Sequence, residues 1–234
     1  MHGLILAGEE RSRLAPSGWM TPAPFVEVGG YPLLTRAVTI LDELGVSSLV
    51  CVVRQEHAGV AAALAGGRAR IVPSATPASL HLLAQGFAAL PPGPVFCVRV
   101  SSVMRADDWR RVFGVAAADL ADGADAVLAV TPNGEGEGSL YVERGRRGRI
   151  ERICDDPIDP ICVAGGVHGF GDEARVLAAD LVVRGQERVR ALLRLMVRLG
   201  LDVSSTLVSP ILDVERCADL DAASALTGGE RGLR

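Results

Sequence analysis

Apolar and polar positions along the chain fall into two alternating patterns. Short, nearly continuous apolar runs occur at Gly3–Ala7, Ser48–Val53, Ile71–Val72, Val95–Val100 and Ala126–Val130. Between them lie stretches with helical spacing. In the clearest of these, Leu33, Ala37, Ile40, Leu41 and Leu44 share one face, Pro32 suits the first helical position, and Gly45 suits the cap. Shorter helices are predicted near 58–64 and 79–90, and Asp107-Asp108 open another with acidic residues in its first turn. This β-α-β-α rhythm indicates a largely parallel sheet with helices on both faces, because strands buried on both sides read as unbroken apolar runs. After residue 130 the rhythm changes. Residues 139–143 and 149–154 read as a hairpin around an Arg- and Gly-rich tip, and 162–170 as a strand. Helices follow at 172–180 and 186–199, then strands near 203–208 and 211–214, and a last helix at 217–226. The expected unit is one domain over residues 1–227, with a frayed polar tail at 228–234.

Composition sharpens this picture. The 234 residues are 49% hydrophobic, enough for a packed core, which excludes intrinsic disorder. A net charge of −4 excludes a dedicated nucleic-acid binder, whose domains are usually basic. No apolar run approaches the roughly 20 residues of a membrane span, and residues 3–7 are too short for a signal peptide, so a cytoplasmic protein without a membrane partner is expected. The five cysteines lack zinc or redox spacing, and most sit in apolar runs as small hydrophobes. All 24 basic residues are arginine. No chemistry that needs a lysine ammonium, as phosphate clamp or Schiff base, operates in this chain.

Ligands of parallel sheets bind beyond the carboxyl ends of strands, which draws attention to Gly8-Glu9-Glu10-Arg11-Ser12-Arg13-Leu14. A phosphate cradle needs glycines there, and only Gly8 is present. Glu9 and Glu10 repel a triphosphate and Arg11 and Arg13 attract one, so the residues alone leave a phosphate site and a plain charged turn both open.

These residues, followed by Pro22-Ala23-Pro24-Phe25 and by Gly29-Gly30-Tyr31-Pro32-Leu33, resemble the opening of the sugar-1-phosphate nucleotidylyltransferases. In that family a strand ending in Leu-Ala-Gly-Gly leads to Gly-x-Arg-Leu, Pro-Lys-Pro-Leu and Gly-Gly-x-Pro-Leu. The resemblance continues in the family's order through Thr76, Ser79 and Leu80, through Tyr141-Val142, Gly148-Arg149-Ile150 and Pro157, and through Ala164-Gly165-Gly166-Val167-His168-Gly169-Phe170. It ends at Leu212-Asp213-Val214 and Asp219-Leu220. It implies a Rossmann-like, three-layer α/β/α nucleotidyltransferase fold. It also implies nucleotide contacts at Leu6, Ala7, Gly8, Arg11, Thr76 and Ser79, sugar contacts at Gly165 and Gly166, and catalytic roles for Arg13 and Asp213, with Asp213 as a metal ligand.

The family reaction is attack of a sugar phosphate on the α-phosphorus of a nucleoside triphosphate, with two lysines and carboxylate-held Mg²⁺ neutralising charge. Three of those positions differ here. The lysine of Pro-Lys-Pro falls at Ala23, the lysine of Glu-Lys-Pro at Asp156, and the metal-binding Asp at Ser101 or Ser102. A hydroxyl is a poor sole anchor for Mg²⁺, and losing one charge-stabilising donor can cost on the order of 10²–10³ in rate. The reading is therefore a nucleotidyltransferase-like protein that has lost efficient transfer. It would bind a nucleotide or nucleotide sugar, or act as a partner in a homo- or hetero-oligomer. The alternative is an active enzyme joining a nucleoside triphosphate to a sugar- or polyol-1-phosphate with release of pyrophosphate, and Mg²⁺ is a cofactor only in that case. The Arg190/Arg194/Arg198 stripe and the Arg144–Arg149 tip read as solvated surface, and His57, His81 and His168 lack zinc spacing.

Overall fold

The computed structural model describes residues 1–8, 21–132, 140–157, 161–208 and 210–227. Its elements in chain order are β1 (His2–Ala7), a 3₁₀ turn (Ala23–Phe25), β2 (Glu27–Val28), β3 (Tyr31–Pro32), α1 (Leu33–Glu43), β4 (Leu49–Arg54), α2 (Ala58–Ala65), β5 (Arg70–Ser74), α3 (Ser79–Ala89) and β6 (Val95–Arg99). They continue with β7 (Ser102–Val103), α4 (Ala106–Ala121), β8 (Ala126–Pro132), β9 (Leu140–Arg144), β10 (Ile150–Cys154), β11 (Cys162–Phe170), α5 (Asp172–Val183), α6 (Val189–Arg198), β12 (Val203–Leu207), β13 (Leu212–Asp213) and α7 (Cys217–Thr227). The hydrophobic patterning thus placed the helices and the longer strands within a few residues of their ends, and missed the two-residue strands β2, β3 and β7. Pro32 is one local correction. It precedes the helix as its extended cap residue, ψ 140°, because the β2–β3 hairpin pairs it with Glu27. Gly29 and Gly30 turn that hairpin at φ 62° and 83°, which side chains rarely adopt.

The central strands β5, β4, β1 and β6 lie side by side and parallel. β11 then joins β6 antiparallel. Its residues near Val163 and Ala164 pair with β8 on one edge and with β9 on the other, so its amino-terminal half runs past the end of β6 and carries the β9–β10 hairpin. β12 closes the far side, parallel to β8.

Alternate strand residues feed two separate cores. Ile5, Cys51, Val53 and Val98 pack with α1, α2, α4 and α7. Leu4, Leu6, Val50, Val52 and Cys97 pack with α3, α5 and α6. This is the three-layer Rossmann-like α/β/α arrangement. No helix among the described residues is long and apolar enough to cross a membrane.

Each of the two basic clusters is exposed in part, at Arg146, Arg147 and Arg198, and tied down in part. Arg144 donates to Ser205 Oγ at 2.8 Å and Arg149 to the Gly200 carbonyl at 3.2 Å, docking the hairpin tip on the β12 region. Arg190 and Arg194 of α6 both pair with Asp155, at 2.9 and 2.5 Å. Spacing alone did not show these partners, because each lies on an element distant in sequence.

Helix α3 approaches β1 closely. A Cβ at Gly86 would collide with the Leu4 side chain, which is fully buried. The substitution G86A is expected to destabilise the fold by about 1–3 kcal/mol through overpacking, read as a lower denaturant midpoint with an unchanged slope.

Candidate active site

The chain runs from β1 outward to β4 and β5, then returns to place β6 on the opposite side of β1. Such a reversal of strand order opens a crevice beyond the carboxyl ends of the two strands flanking it, and ligands of open α/β sheets bind there. The crevice lies beyond Ala7-Gly8 on β1 and Arg99–Ser102 after β6.

Gly8 is fixed by packing. A Cβ there would sit 2.9 Å from the Leu82 side chain on α3 and 3.4 Å from the Arg54 amide. On β6, the Val100 amide donates to the Leu6 carbonyl at 3.0 Å, holding the strand ends together. β7 then pairs with β13, setting Ser102 opposite Asp213, and the Val214 amide donates to the Ser101 carbonyl at 2.9 Å. Across β6, the register that pairs Val98 with Val167 brings Gly166 beside Arg99. Leu6, Ala7, Gly8, Ser101, Ser102, Gly165, Gly166 and Asp213 therefore gather at one edge of the sheet.

The remaining candidates are more dispersed. Thr76 and Ser79 follow β5, two strands from β1. The Thr76 hydroxyl accepts from the Ala78 amide at 3.2 Å, and the Ser79 hydroxyl accepts from the Val189 amide at 3.2 Å, so both also stabilise local structure. Ala23 precedes α1 in the 3₁₀ turn, where Phe25 meets His57 edge-on with ring centroids 5.4 Å apart. β10 runs parallel to β11 through β9, and this carries the exposed Asp156 back toward the level of Gly165. Arg11 and Arg13, with Glu9 and Glu10, lie outside the described residues.

The electrostatics of the crevice centre on an arginine. Arg99 Nη1 donates to Asp213 Oδ2 at 3.0 Å and Arg99 Nη2 to Glu215 Oε1 at 3.3 Å. Ser102 Oγ donates to the other Asp213 oxygen at 2.7 Å. Asp219 Oδ2 accepts from the Glu215 and Arg216 amides at 3.0 and 2.7 Å, which fixes the Glu215 backbone as α7 begins. Behind this network, on the same face of the sheet as Arg99, His168 is buried against Phe170 with its Nδ1 unpartnered. Burial pushes its pKa down to about 4, helped by the Arg99 charge and opposed by Asp213. At the hairpin end, hydrogen bonding from Arg194 foremost, with Arg190 adding to it, holds the Asp155 carboxyl below the usual range.

A divalent ion does not fit this arrangement well. Both oxygens of Asp213 already accept hydrogen bonds, one from a guanidinium, and Ser102 offers only a hydroxyl. Among the described residues no three His, Cys, Asp or Glu side chains converge as a metal-ligand set.

Sequence reasoning did not select Glu215 or His168 as site residues. Glu215 was visible in principle, because it stands two residues beyond Asp213 and extended backbone turns both to one side.

The sequence profile of the MobA-like NTP transferase domain matches residues 3–159. A comparison with curated proteins returns no match. Among solved structures, the inositol-1-phosphate CTP transferase from T. maritima superposes with a TM-score of 0.79 at 16% identity, covering 97% of this chain and 96% of that one. The Bacillus anthracis protein assigned as a glucose-1-phosphate thymidylyltransferase, solved with sucrose, gives 0.82 at 19% identity over 99% and 96%. A CMP:2-keto-3-deoxy-manno-octonic acid synthetase complexed with CTP gives 0.74 at 15% identity over 97% and 98%. At these identities the likeness is one of fold.

Proposed function

Because the chain belongs to the family of MobA-like NTP transferase domains, matched over residues 3–159, we propose that it binds a nucleoside, nucleotide or nucleotide sugar at the β1/β6 crevice without efficient nucleotidyl transfer. One observation carries this reading. The two positions where the resemblance places phosphate-neutralising lysines hold Ala23 and Asp156, and no lysine exists elsewhere in the chain to substitute. Phosphoryl chemistry is largely positioning and charge neutralisation, so this loss falls on the reaction itself. Binding is less affected. Backbone groups around Leu6–Gly8 and beside Gly165-Gly166 can contact a base, ribose or sugar without lysine or metal. Asp156 adds a negative charge that penalises a triphosphate. The ligand favoured is therefore one with few phosphates. The unit proposed to do this is residues 1–227, acting in the cytoplasm.

Purified protein incubated with each nucleoside triphosphate, Mg²⁺ and a panel of sugar and polyol phosphates is expected to release no pyrophosphate above the uncatalysed rate. In calorimetry, a nucleoside or nucleotide sugar is expected to bind more tightly than the matching triphosphate. Robust turnover with any pair overturns the reading in favour of an active transferase. Absence of binding by every ligand favours a partner subunit in an oligomer.

A further inference from the structure

We propose that Arg99 is the resident cation of this crevice, and that its guanidinium closes the Asp213–Glu215 carboxylate pair to divalent metal ions. The inference refines the metal question within the reading above and does not depend on which nucleotide binds.

The first ground is occupancy. The Arg99 fork reaches both carboxylates, at 3.0 and 3.3 Å, from a position only 24% exposed, with Asp213 and Glu215 at 29% and 18%. A guanidinium keeps its charge at any pH a folded protein tolerates, and its planar fork suits carboxylates. Mg²⁺ needs near-ideal octahedral geometry at about 2.0–2.1 Å and gives up water reluctantly. To bind here it would have to displace a covalently tethered cation and then sit beside it.

A second ground is independent of the ion pairs. Gly166 makes room for this arginine. A Cβ at that position would stand 2.6 Å from Arg99 Cδ, 2.9 Å from Arg99 Cβ and 2.5 Å from Ser102 Oγ. The strand opposite β6 is therefore shaped around the arginine stem.

Ser102 supplies the third ground. Its hydroxyl donates to Asp213 at 2.7 Å. An acid in its place would add a third carboxylate to the cluster and call for more positive charge than one guanidinium carries. Serine at 102 and arginine at 99 therefore form a consistent pair. Together they replace an exchangeable ion, held by carboxylates, with a fixed one. The consequence is that, among the described residues, the Asp213–Glu215 pair is held by a cation the chain itself carries, whatever metal is in solution.

The test uses the full chain without nucleotide, so its outcome is separate from any failure of the binding or turnover experiments. Mn²⁺ is titrated and its free fraction followed by electron paramagnetic resonance. Wild type and D213N are expected to give the same weak background. R99A is expected to gain at least tenfold in Mn²⁺ affinity, and D213N added to R99A is expected to remove the gain. R99Q, which keeps hydrogen-bonding capacity without charge, is expected to gain in the same direction. Circular dichroism and thermal melts establish that each variant is folded. If wild type binds Mn²⁺ more tightly than D213N, the proposal is overturned. It is also overturned if folded R99A and R99Q both show no gain. Should neither Arg99 variant fold, the comparison of wild type with D213N decides alone.

Discussion

Introducing lysine at positions 23 and 156 together is expected to tighten binding of a nucleoside triphosphate about a hundredfold, measured by calorimetry without metal. Ala23 lies in the 3₁₀ turn before α1 and Asp156 two residues past β10, and the resemblance assigns both to the phosphate end of the crevice. A hydrogen bond to a charged group contributes about 1.5–3 kcal/mol. Two new ammonium contacts at the low end of that range give about 3 kcal/mol, or roughly two powers of ten. The Asp156→Lys change also removes a like charge. Affinity for the uncharged nucleoside is expected to stay within about twofold, since nothing near its ring system changes. A triphosphate affinity that does not move would mean that positions 23 and 156 do not face the phosphates, and the residue correspondence would fall. Equal gains for nucleoside and triphosphate would point to a general structural effect and count against the charge argument.

The layered fold was legible in the sequence because its signals are local. Unbroken apolar runs such as Leu49–Val53 mark strands buried on both faces, and the Leu33–Leu44 spacing marks an amphipathic helix. The gathering of Gly8, Ser102, Gly166 and Asp213 was legible only through the resemblance, which supplied a tertiary template. What stayed hidden depends on register between distant segments. Arg99 and Asp213 are 114 residues apart, and their pairing follows from β7 meeting β13 while β6 meets β11. Arg190 and Arg194 read as a solvated stripe because their partner, Asp155, lies at the end of the β9–β10 hairpin. Composition and periodicity contain no term for which strand ends meet, so charged residues that look unpartnered along the chain can be paired across it.

The buried histidine beside this network gives the fold a pH limit. His168 lies on β11 opposite Cys97 of β6 and Leu128 of β8, packed against Phe170 with ring centroids 5.6 Å apart. Its charged neighbours are Arg99, which disfavours the imidazolium, and Asp213, which favours it less strongly than burial opposes it. In the unfolded chain the ring titrates near 6.5, and in the fold near 4. Between those values the unfolded state binds more protons, so the contribution of His168 is complete above about pH 6.5 and is lost as pH drops toward 4. At about 1.4 kcal/mol per pH unit, the loss by pH 4.5 is on the order of 2–3 kcal/mol. Denaturant unfolding of wild type and H168Q at pH 7.5 and 4.5 isolates this contribution, because both proteins share every other titrating group. The drop between the two pH values is expected to be smaller in H168Q by about 2–3 kcal/mol. Glutamine forfeits some packing against Phe170, which lowers stability at both pH values alike and leaves the difference readable. Equal pH dependence in the two proteins would mean that His168 titrates in the fold as it does in the unfolded chain, and that burial does not hold the ring neutral.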